Sequence, residues 1–256
     1  MAIPASIQTF IDGQVDAAPG RYDDLRAVVF NGTLKRSPEP SQTDGLLAIA
    51  RGIMERAGAR VDEVRTADHE IPAGVWPDMR EHGYERDEFP EIYRSLVVPA
   101  DIILVAGPIW LGDQCSHTRK IIERLYAYSG EVNAAGQWSY YGKVGGALTT
   151  GNEDGGKHVS AQILYALQHI GLTVPPQSDA YWVGEAGPGP SYLDGGGERN
   201  AWTTRNTVFM TWNLLHFARL LKDAGGVPAY GNSTFDWDLS VPDHPNPEYR
   251  ARPLML

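Results

Sequence analysis

Short apolar runs alternate along the chain with stretches whose apolar side chains recur every three to four residues. The second pattern is typical of an amphipathic helix, and a short apolar run bounded by turn residues is typical of a buried strand. The alternation begins at Arg26 and is repeated up to about residue 223. It predicts strands at about 26–31, 60–66, 101–107, 143–149 and 172–174, and helices at about 42–58, 89–98, 114–129, 156–170 and 202–223.

Strands that alternate with helices favour an α/β fold, in which a parallel sheet is covered by helices on both faces. The near-continuous apolar run 101–107 suits a strand that is buried on both sides. Five strands fit a flavodoxin-like three-layer sandwich of strand order 2-1-3-4-5. Ligands bind such sheets at the carboxyl ends of strands one and three, where the order reverses.

The regions outside this alternation have weaker signals. Residues 1–25 are predicted to be an N-terminal arm, residues 26–223 the sandwich domain, and residues 224–256, with five prolines from 225 onward, an extended C-terminal tail. A long loop, 67–90, interrupts the domain, and loops of this length in a compact domain are usually functional. A Gly/Pro-rich segment, 184–198, is predicted to be a surface loop.

Composition limits the classes of function. The chain has 256 residues and a net charge of −10, which argues against nucleic acid or an anionic membrane as the main partner. It has one cysteine, Cys115, so we expect no internal disulfide and no cysteine-cluster metal site. The first residues lack a signal-peptide pattern, and no run approaches the roughly 20 apolar residues of a membrane span. A cytoplasmic protein is therefore expected.

The strand–loop–helix at 26–43 has the features of an anion site. Asn31-Gly32 ends the apolar run, and the helix that follows begins with unpaired backbone N–H groups and the positive end of its dipole. Five side chains add donors: Thr33, Lys35, Ser37, Ser41 and Thr43. The loop matches neither GxGxxG nor GxxxxGK[ST]. A plain connection capped by a serine or threonine is the alternative.

Two further loops follow strands three and four and so lie at the same edge of the predicted sheet. In the loop 107–114, Trp110 offers a flat face to a planar ring, although a tryptophan can equally pack in the core. In the loop 149–158, glycines allow close approach of a ligand to the backbone. The alternative there is a solvated loop in which Asp154 caps the next helix.

These three loops resemble those of a known family. Asn31-Gly32-Thr33-Leu34-Lys35-Arg36 with Ser41-Gln42-Thr43 is similar to the phosphate loop of NADPH-dependent FMN reductases. The stretch from Gly107 to Gly112 resembles the loop that borders the flavin in that family. Thr149-Thr150-Gly151 with Gly155-Gly156 resembles a loop of the tryptophan-repressor-binding-protein-type quinone reductases.

The resemblance implies FMN as cofactor and assigns residues to three parts of it. It places Thr33, Lys35, Ser41, Gln42 and Thr43 on the phosphate; Pro108, Ile109, Trp110, Leu111 and Gly112 along the ribityl chain and ring; and Thr149, Thr150, Gly151, Asn152 and Gly155 at the isoalloxazine edge. The chain departs from the family pattern at Pro38-Glu39-Pro40, which lengthens the first loop and leaves the register of Ser37 against Ser41 open.

The resemblance also implies a reaction: hydride passes from NAD(P)H through FMN to a quinone or a similar small-molecule acceptor, in a homodimer or homotetramer. Stacked rings need no obligatory protein acid or base, so we name no catalytic residue. His158 is a candidate to donate to a quinone or flavin oxygen, although such a histidine is more often a solvated first-turn residue. Cys115 is expected to be packed rather than reactive. Tyr140, Tyr141, Tyr181 and Trp182 are candidates to cover the flavin or an interface. Three alternatives stay open: a flavodoxin-like electron carrier, a specialised biosynthetic flavoenzyme and a phosphate-ester-binding module.

Overall fold

A computed structural model describes residues 4–18, 20, 22–187, 189–244 and 252–253. Five strands form the parallel part of the main sheet: β1 (Arg26–Asn31), β2 (Arg60–Arg65), β3 (Ile102–Trp110), β4 (Val144–Gly151) and β5 (Asp179–Val183). A sixth, two-residue strand, Asp113–Gln114, pairs with the end of β3. The five parallel strands lie in the order β2-β1-β3-β4-β5, and each neighbouring pair is parallel. The predicted flavodoxin-like α/β sandwich with strand order 2-1-3-4-5 is confirmed.

Helices surround this sheet. They are α1 (Ala5–Asp16), α2 (Gln42–Arg56), α3 (Phe89–Ile92), α4 (Ser116–Tyr126), α5 (Gly156–His169), α6 (Ala201–Asp223) and α7 (Thr234–Ser240). A π-helical turn, Tyr93–Val97, continues α3. No helix in the described ranges is long and apolar enough to cross a bilayer.

Alternate side chains of each strand serve the two faces of the sheet. In β1, Ala27 and Val29 belong to the core formed with α2 and α6, whereas Val28 and Phe30 belong to the core formed with α4, α5 and the segment 89–97. Because all four side chains are buried, β1 is a near-continuous apolar run. That pattern is the reason why the sequence identifies it.

The prediction of a strand at 172–174 is wrong. Thr173 makes only an isolated bridge to Val144, and the fifth strand begins at Asp179. Pro175 and Pro176 lack the backbone N–H that a ladder needs, so pairing cannot continue through them. β5 starts after these prolines and alternates buried and half-buried residues, as expected for a strand at the edge of a sheet.

The flanking regions contain more structure than predicted. In the N-terminal arm, α1 packs Ile11 into the core. In the predicted extended tail, Ser233 accepts a hydrogen bond from the Asp236 amide and caps α7. The described pair Arg252–Pro253 runs parallel to Glu131–Val132. The prediction for 245–251 and 254–256 falls outside the described residues.

An ion pair with no solvent exposure anchors the long loop 67–90. The Arg124 guanidinium donates to the Asp87 carboxylate at 2.6 Å and to the carbonyl oxygen of Pro77 at 2.9 Å. The Asp87 carboxylate also accepts from the amides of Met79 and Phe89. The loop is therefore fixed to α4 from within the core.

Candidate functional site

The loops after β1, β3 and β4 meet at the carboxyl edge of the sheet. The hydroxyl oxygens of Thr43 and Thr150 lie 3.2 Å apart, which joins the first turn of α2 to the end of β4. A Cβ atom on Gly155 would lie 2.5 Å from the carbonyl oxygen of Gly112, so the second and third loops are in direct contact. The structure thus brings together the three segments that the sequence selects.

The first turn of α2 presents donors suited to an anion. Ser41 caps the helix, and its hydroxyl oxygen accepts from the Asp44 amide at 2.9 Å while its own proton is left to donate. The amides of Gln42 and Thr43, as the first two of the helix, have no intrahelical acceptor. Thr33 is buried, and its hydroxyl oxygen accepts from the Lys35 amide at 3.3 Å. These groups and the helix dipole match the chemistry of a phosphate.

Hydrogen bonds and an ion pair within the protein hold the lengthened part of the first loop. Asp68 accepts from both the amide and the hydroxyl of Ser37, at 2.8 and 2.6 Å. The Ser37 hydroxyl bond is the main cause that lowers the pKa of Asp68. Lys35 Nζ donates to the Pro40 carbonyl oxygen at 3.1 Å and pairs with Glu39 at 3.3 Å. Ser41, not Ser37, is therefore the serine at the helix N-terminus, and Lys35 is occupied within its own loop.

A buried polar network, which the sequence analysis did not predict, connects β1 and β2 to the first loop and to the first turn of α2. Asn31 is fully buried and donates to Asp44 at 3.1 Å and to Glu63 at 3.0 Å. Arg65 pairs with Asp44 and donates to the Glu39 carbonyl oxygen at 2.9 Å. Asn31 could have been identified from the sequence, because it is a polar residue at the end of an apolar strand. The pairing of Arg65 with Asp44 could not, because no local sequence pattern links these two residues.

The second loop is a tight hairpin, which the sequence analysis did not anticipate. Ile109 pairs with Gln114 and Trp110 with Asp113 in antiparallel register. Leu111 and Gly112 at the tip both have left-handed backbone, with φ of 56° and 74°, as in a type I′ turn. The Leu111 side chain is 97% exposed, Pro108 and Trp110 are half-buried, and Ile109 is buried against Gly151.

The third loop leads into a helix whose N-terminus has no side-chain cap. Gly155 stands at the cap position of α5, so the alternative in which Asp154 caps this helix is not observed. The first amides of α5 are therefore left to a ligand or to water. Thr149 is fully buried, and its hydroxyl has no hydrogen-bond partner among the described residues.

Two predicted ligand residues have other partners. Gln42 accepts from the Leu193 amide at 2.6 Å and donates to Asp194 at 3.0 Å. Asn152 donates to the carbonyl oxygens of Gly187 and Gly189, at 3.4 and 2.9 Å. Both side chains therefore contact the loop between β5 and α6.

The remaining candidates lie around the site in different ways. His158 is exposed and bonds Gln162 at 2.7 Å. Cys115 is buried, which raises the pKa of its thiol, and its Sγ donates to the Gly32 carbonyl oxygen at 3.1 Å. Tyr140 and Trp182 are core residues. Over the ranges that the structure describes, no group of three or more His, Cys, Asp or Glu side chains could hold a metal ion.

The site fits a phosphorylated planar ligand: donors lie at two helix N-termini, and the hairpin with the half-buried Trp110 lies beside one of them. Comparisons with known proteins agree. The family model for NADPH-dependent FMN reductase matches residues 25–186.

Three relatives extend the comparison. The 8-demethyl-8-aminoriboflavin-5'-phosphate synthase of Streptomyces davaonensis is 38% identical over 204 residues, which cover 78% of this chain and 79% of that protein. The crystal structure of RosB with bound 8-demethyl-8-formylriboflavin-5'-phosphate has a TM-score of 0.76 at 34% identity, covering 89% of this chain and 90% of that one. The divalent metal cation transporter MntH of Mycobacterium bovis is 56% identical over 216 residues, 84% of this chain, but the chain spans only 31% of that protein.

Proposed function

Because the chain belongs to the NADPH-dependent FMN reductase family, we propose that it is an FMN-dependent oxidoreductase that takes hydride from NAD(P)H and passes it to a quinone or a similar small electrophile. The observation that carries this proposal is the meeting of the α2 and α5 N-termini with the hairpin 109–114 at one sheet edge. FMN, when bound, supplies a ring that accepts hydride from one molecule and delivers it to the next.

The chain's own groups would bind and orient this cofactor. The amides of Gln42 and Thr43, with the hydroxyls of Thr33 and Ser41, would hold the phosphate at the positive end of α2. The uncapped first amides of α5 would lie at the ring edge, where the helix dipole stabilises negative charge on a reduced flavin. Leu111 and Trp110 would exclude water from the ring.

A purified sample tests the proposal directly. We expect the protein to be yellow, or to quench the fluorescence of added FMN on binding. NADPH or NADH should then bleach the bound flavin without air, and a quinone should restore the colour. A colourless protein that takes up no FMN would overturn the proposal. Slow or absent bleaching, with FMN firmly bound, would favour an electron carrier instead.

A second candidate function is modification of the flavin itself. It is favoured by the likeness to the riboflavin-phosphate synthase and to RosB, each of which extends over more than three quarters of both chains. In that case bound FMN is the substrate and leaves changed. Mass spectrometry of the flavin before and after incubation with candidate co-reactants separates the two functions, because an oxidoreductase returns FMN of unaltered mass.

Oligomeric state and compartment stay predictions. We propose a homodimer or homotetramer in the cytoplasm. Light scattering of the purified protein measures the first, and fractionation of the producing cells the second.

A further inference from the structure

The loop between β5 and α6 lies along one side of the candidate site. We call its described residues, 184–187 and 189–198, the closing segment. At one end it is bonded to the third loop by backbone groups: the Gly184 amide donates to Gly151 O at 2.9 Å, and the Gly187 amide to Asn152 O at 3.1 Å. The Asn152 side chain adds its bond to Gly189 O at 2.9 Å.

The other end of the closing segment is fastened to the first turn of α2. The Gln42 side-chain amide uses both of its polar atoms there, accepting from the Leu193 amide and donating to the Asp194 carboxylate. Leu193 packs so closely on α2 that a Cβ atom on Gly45 would lie 2.4 Å from its side chain. Tyr192 beside it is fully buried in the core. The segment is thus held by side-chain bonds and by packing.

The two ends bracket the site. Gln42 lies at the phosphate side, on the turn that supplies the anion-binding amides, and Asn152 lies at the ring side, before the α5 N-terminus. The three strand-end loops border the other sides. We propose that the closing segment is the fourth wall of the flavin site, and that Gln42 and Asn152 are positioning residues that fasten this wall. Escape of bound FMN then requires the segment to detach; this part of the inference rests on the proposed function.

Asp194 makes the inference testable, because two explanations of its presence predict opposite changes in the rate of FMN release when it is replaced. If Asp194 fastens the wall through Gln42, its loss loosens the wall and speeds FMN release. If Asp194 is only a bystander near the phosphate, its negative charge repels the ligand, and its loss slows release. An asparagine separates the two further, since it removes the charge but keeps an oxygen that can accept from Gln42.

The experiment measures the rate at which FMN fluorescence returns after dilution of the loaded protein. We expect Asp194→Ala to release FMN about threefold to tenfold faster, the range for loss of one hydrogen bond, and Asp194→Asn to stay within about twofold of wild type. Asp238→Ala, an exposed acid on α7, is the control for loss of one charge and should change nothing. Equal slowing by Ala and Asn, or no change in either, would overturn the inference while leaving FMN binding intact.

A second measurement needs no flavin. Chymotrypsin cleaves after Tyr192 only if the wall detaches, because that side chain is buried and cleavage follows the population of the open form. Asp194→Ala and Asn152→Ala should each be cut there several times faster than wild type, at unchanged thermal stability of the rest of the domain. Equal cutting in all variants contradicts the fastening. Failure to bind FMN together with faster cutting would instead reject the proposed function while supporting the fastening of the closing segment by Gln42 and Asn152.

Discussion

The hydroxyl oxygens of Thr43 and Thr150 lie 3.2 Å apart and link the helix that follows β1 to the end of β4. Both residues are buried, and neither is near the other in sequence. Their contact places the amides of α2 beside the loop that leads into α5. The geometry of the site therefore depends on the relative position of α2 and α5. The contact between these two hydroxyls is one indication of that position.

Replacement of Thr43 by valine tests this link. Valine keeps the shape but removes the hydroxyl that contacts Thr150, and a hydrogen bond between neutral groups contributes about 0.5–1.5 kcal/mol. We expect the dissociation constant for FMN to rise about twofold to tenfold in a fluorescence titration, because the first turn of α2 is no longer held against the end of β4. Thr207→Val, the same change at a buried residue of α6 whose hydroxyl bonds only its own helix, should leave FMN affinity unchanged. Equal losses in both variants would place the effect in folding.

Gly155 is a position where the backbone itself is required. Its φ is +127°, a region that side chains disfavour, and a Cβ atom would meet the Gly112 carbonyl oxygen at 2.5 Å. Gly155→Ala should push the hairpin from the third loop and weaken FMN binding at least tenfold. Gly225 also has a positive φ, of 73°, but no atom lies within 4 Å of a Cβ atom added there. Gly225→Ala is therefore the control for backbone strain alone. Its FMN affinity should match that of wild type.

The sequence predicted the sheet because burial on both faces leaves continuous apolar runs, as in β1 and β3. It misplaced the fifth strand, because an edge strand alternates buried and half-buried residues and Leu172–Val174 also has the β-branched, apolar composition typical of a strand. Nor did it predict the partners of Gln42 and Asn152. A polar side chain in a loop is equally suited to a ligand and to a neighbouring segment, and only tertiary structure distinguishes them.

Leu111 combines strain with exposure. A leucine with φ of 56° at the tip of a hairpin is unfavourable by about 1 kcal/mol, and its side chain is 97% exposed. Leu111→Asn should raise stability by about that amount in urea unfolding, since asparagine accepts this backbone. The same variant should raise KM for the acceptor if the apolar side chain serves the ring site. A stabilised variant with unchanged KM would assign Leu111 no part in acceptor binding.

The buried amine of Lys143 should make the stability of the protein depend on pH. Burial lowers the pKa of its amine to about 8 from 10.5, while Nζ donates to the carbonyl oxygens of Val98 and Ala100. Between these values the unfolded chain binds more protons than the folded one, so the contribution of Lys143 to stability increases with pH from about 8 to 10.5. The free energy of unfolding of wild type minus that of Lys143→Met should rise by about 3 kcal/mol over this window. Urea titrations at pH 7.5, 9 and 10.5 that give the same difference in unfolding free energy between wild type and Lys143→Met would contradict this prediction.

The ion pair between Arg124 and Asp87 predicts a large loss of stability when it is broken. Both side chains are fully buried, and removal of one partner leaves a buried charge, which costs about 3–5 kcal/mol. Arg124→Met should lower the free energy of unfolding by about this amount and expose the loop 67–90 to proteolysis. Arg119→Met, which breaks an exposed pair with Glu123 on the same helix, should cost less than about 1 kcal/mol. Similar losses in the two variants would mean that helix propensity, not the buried pair, carries the effect.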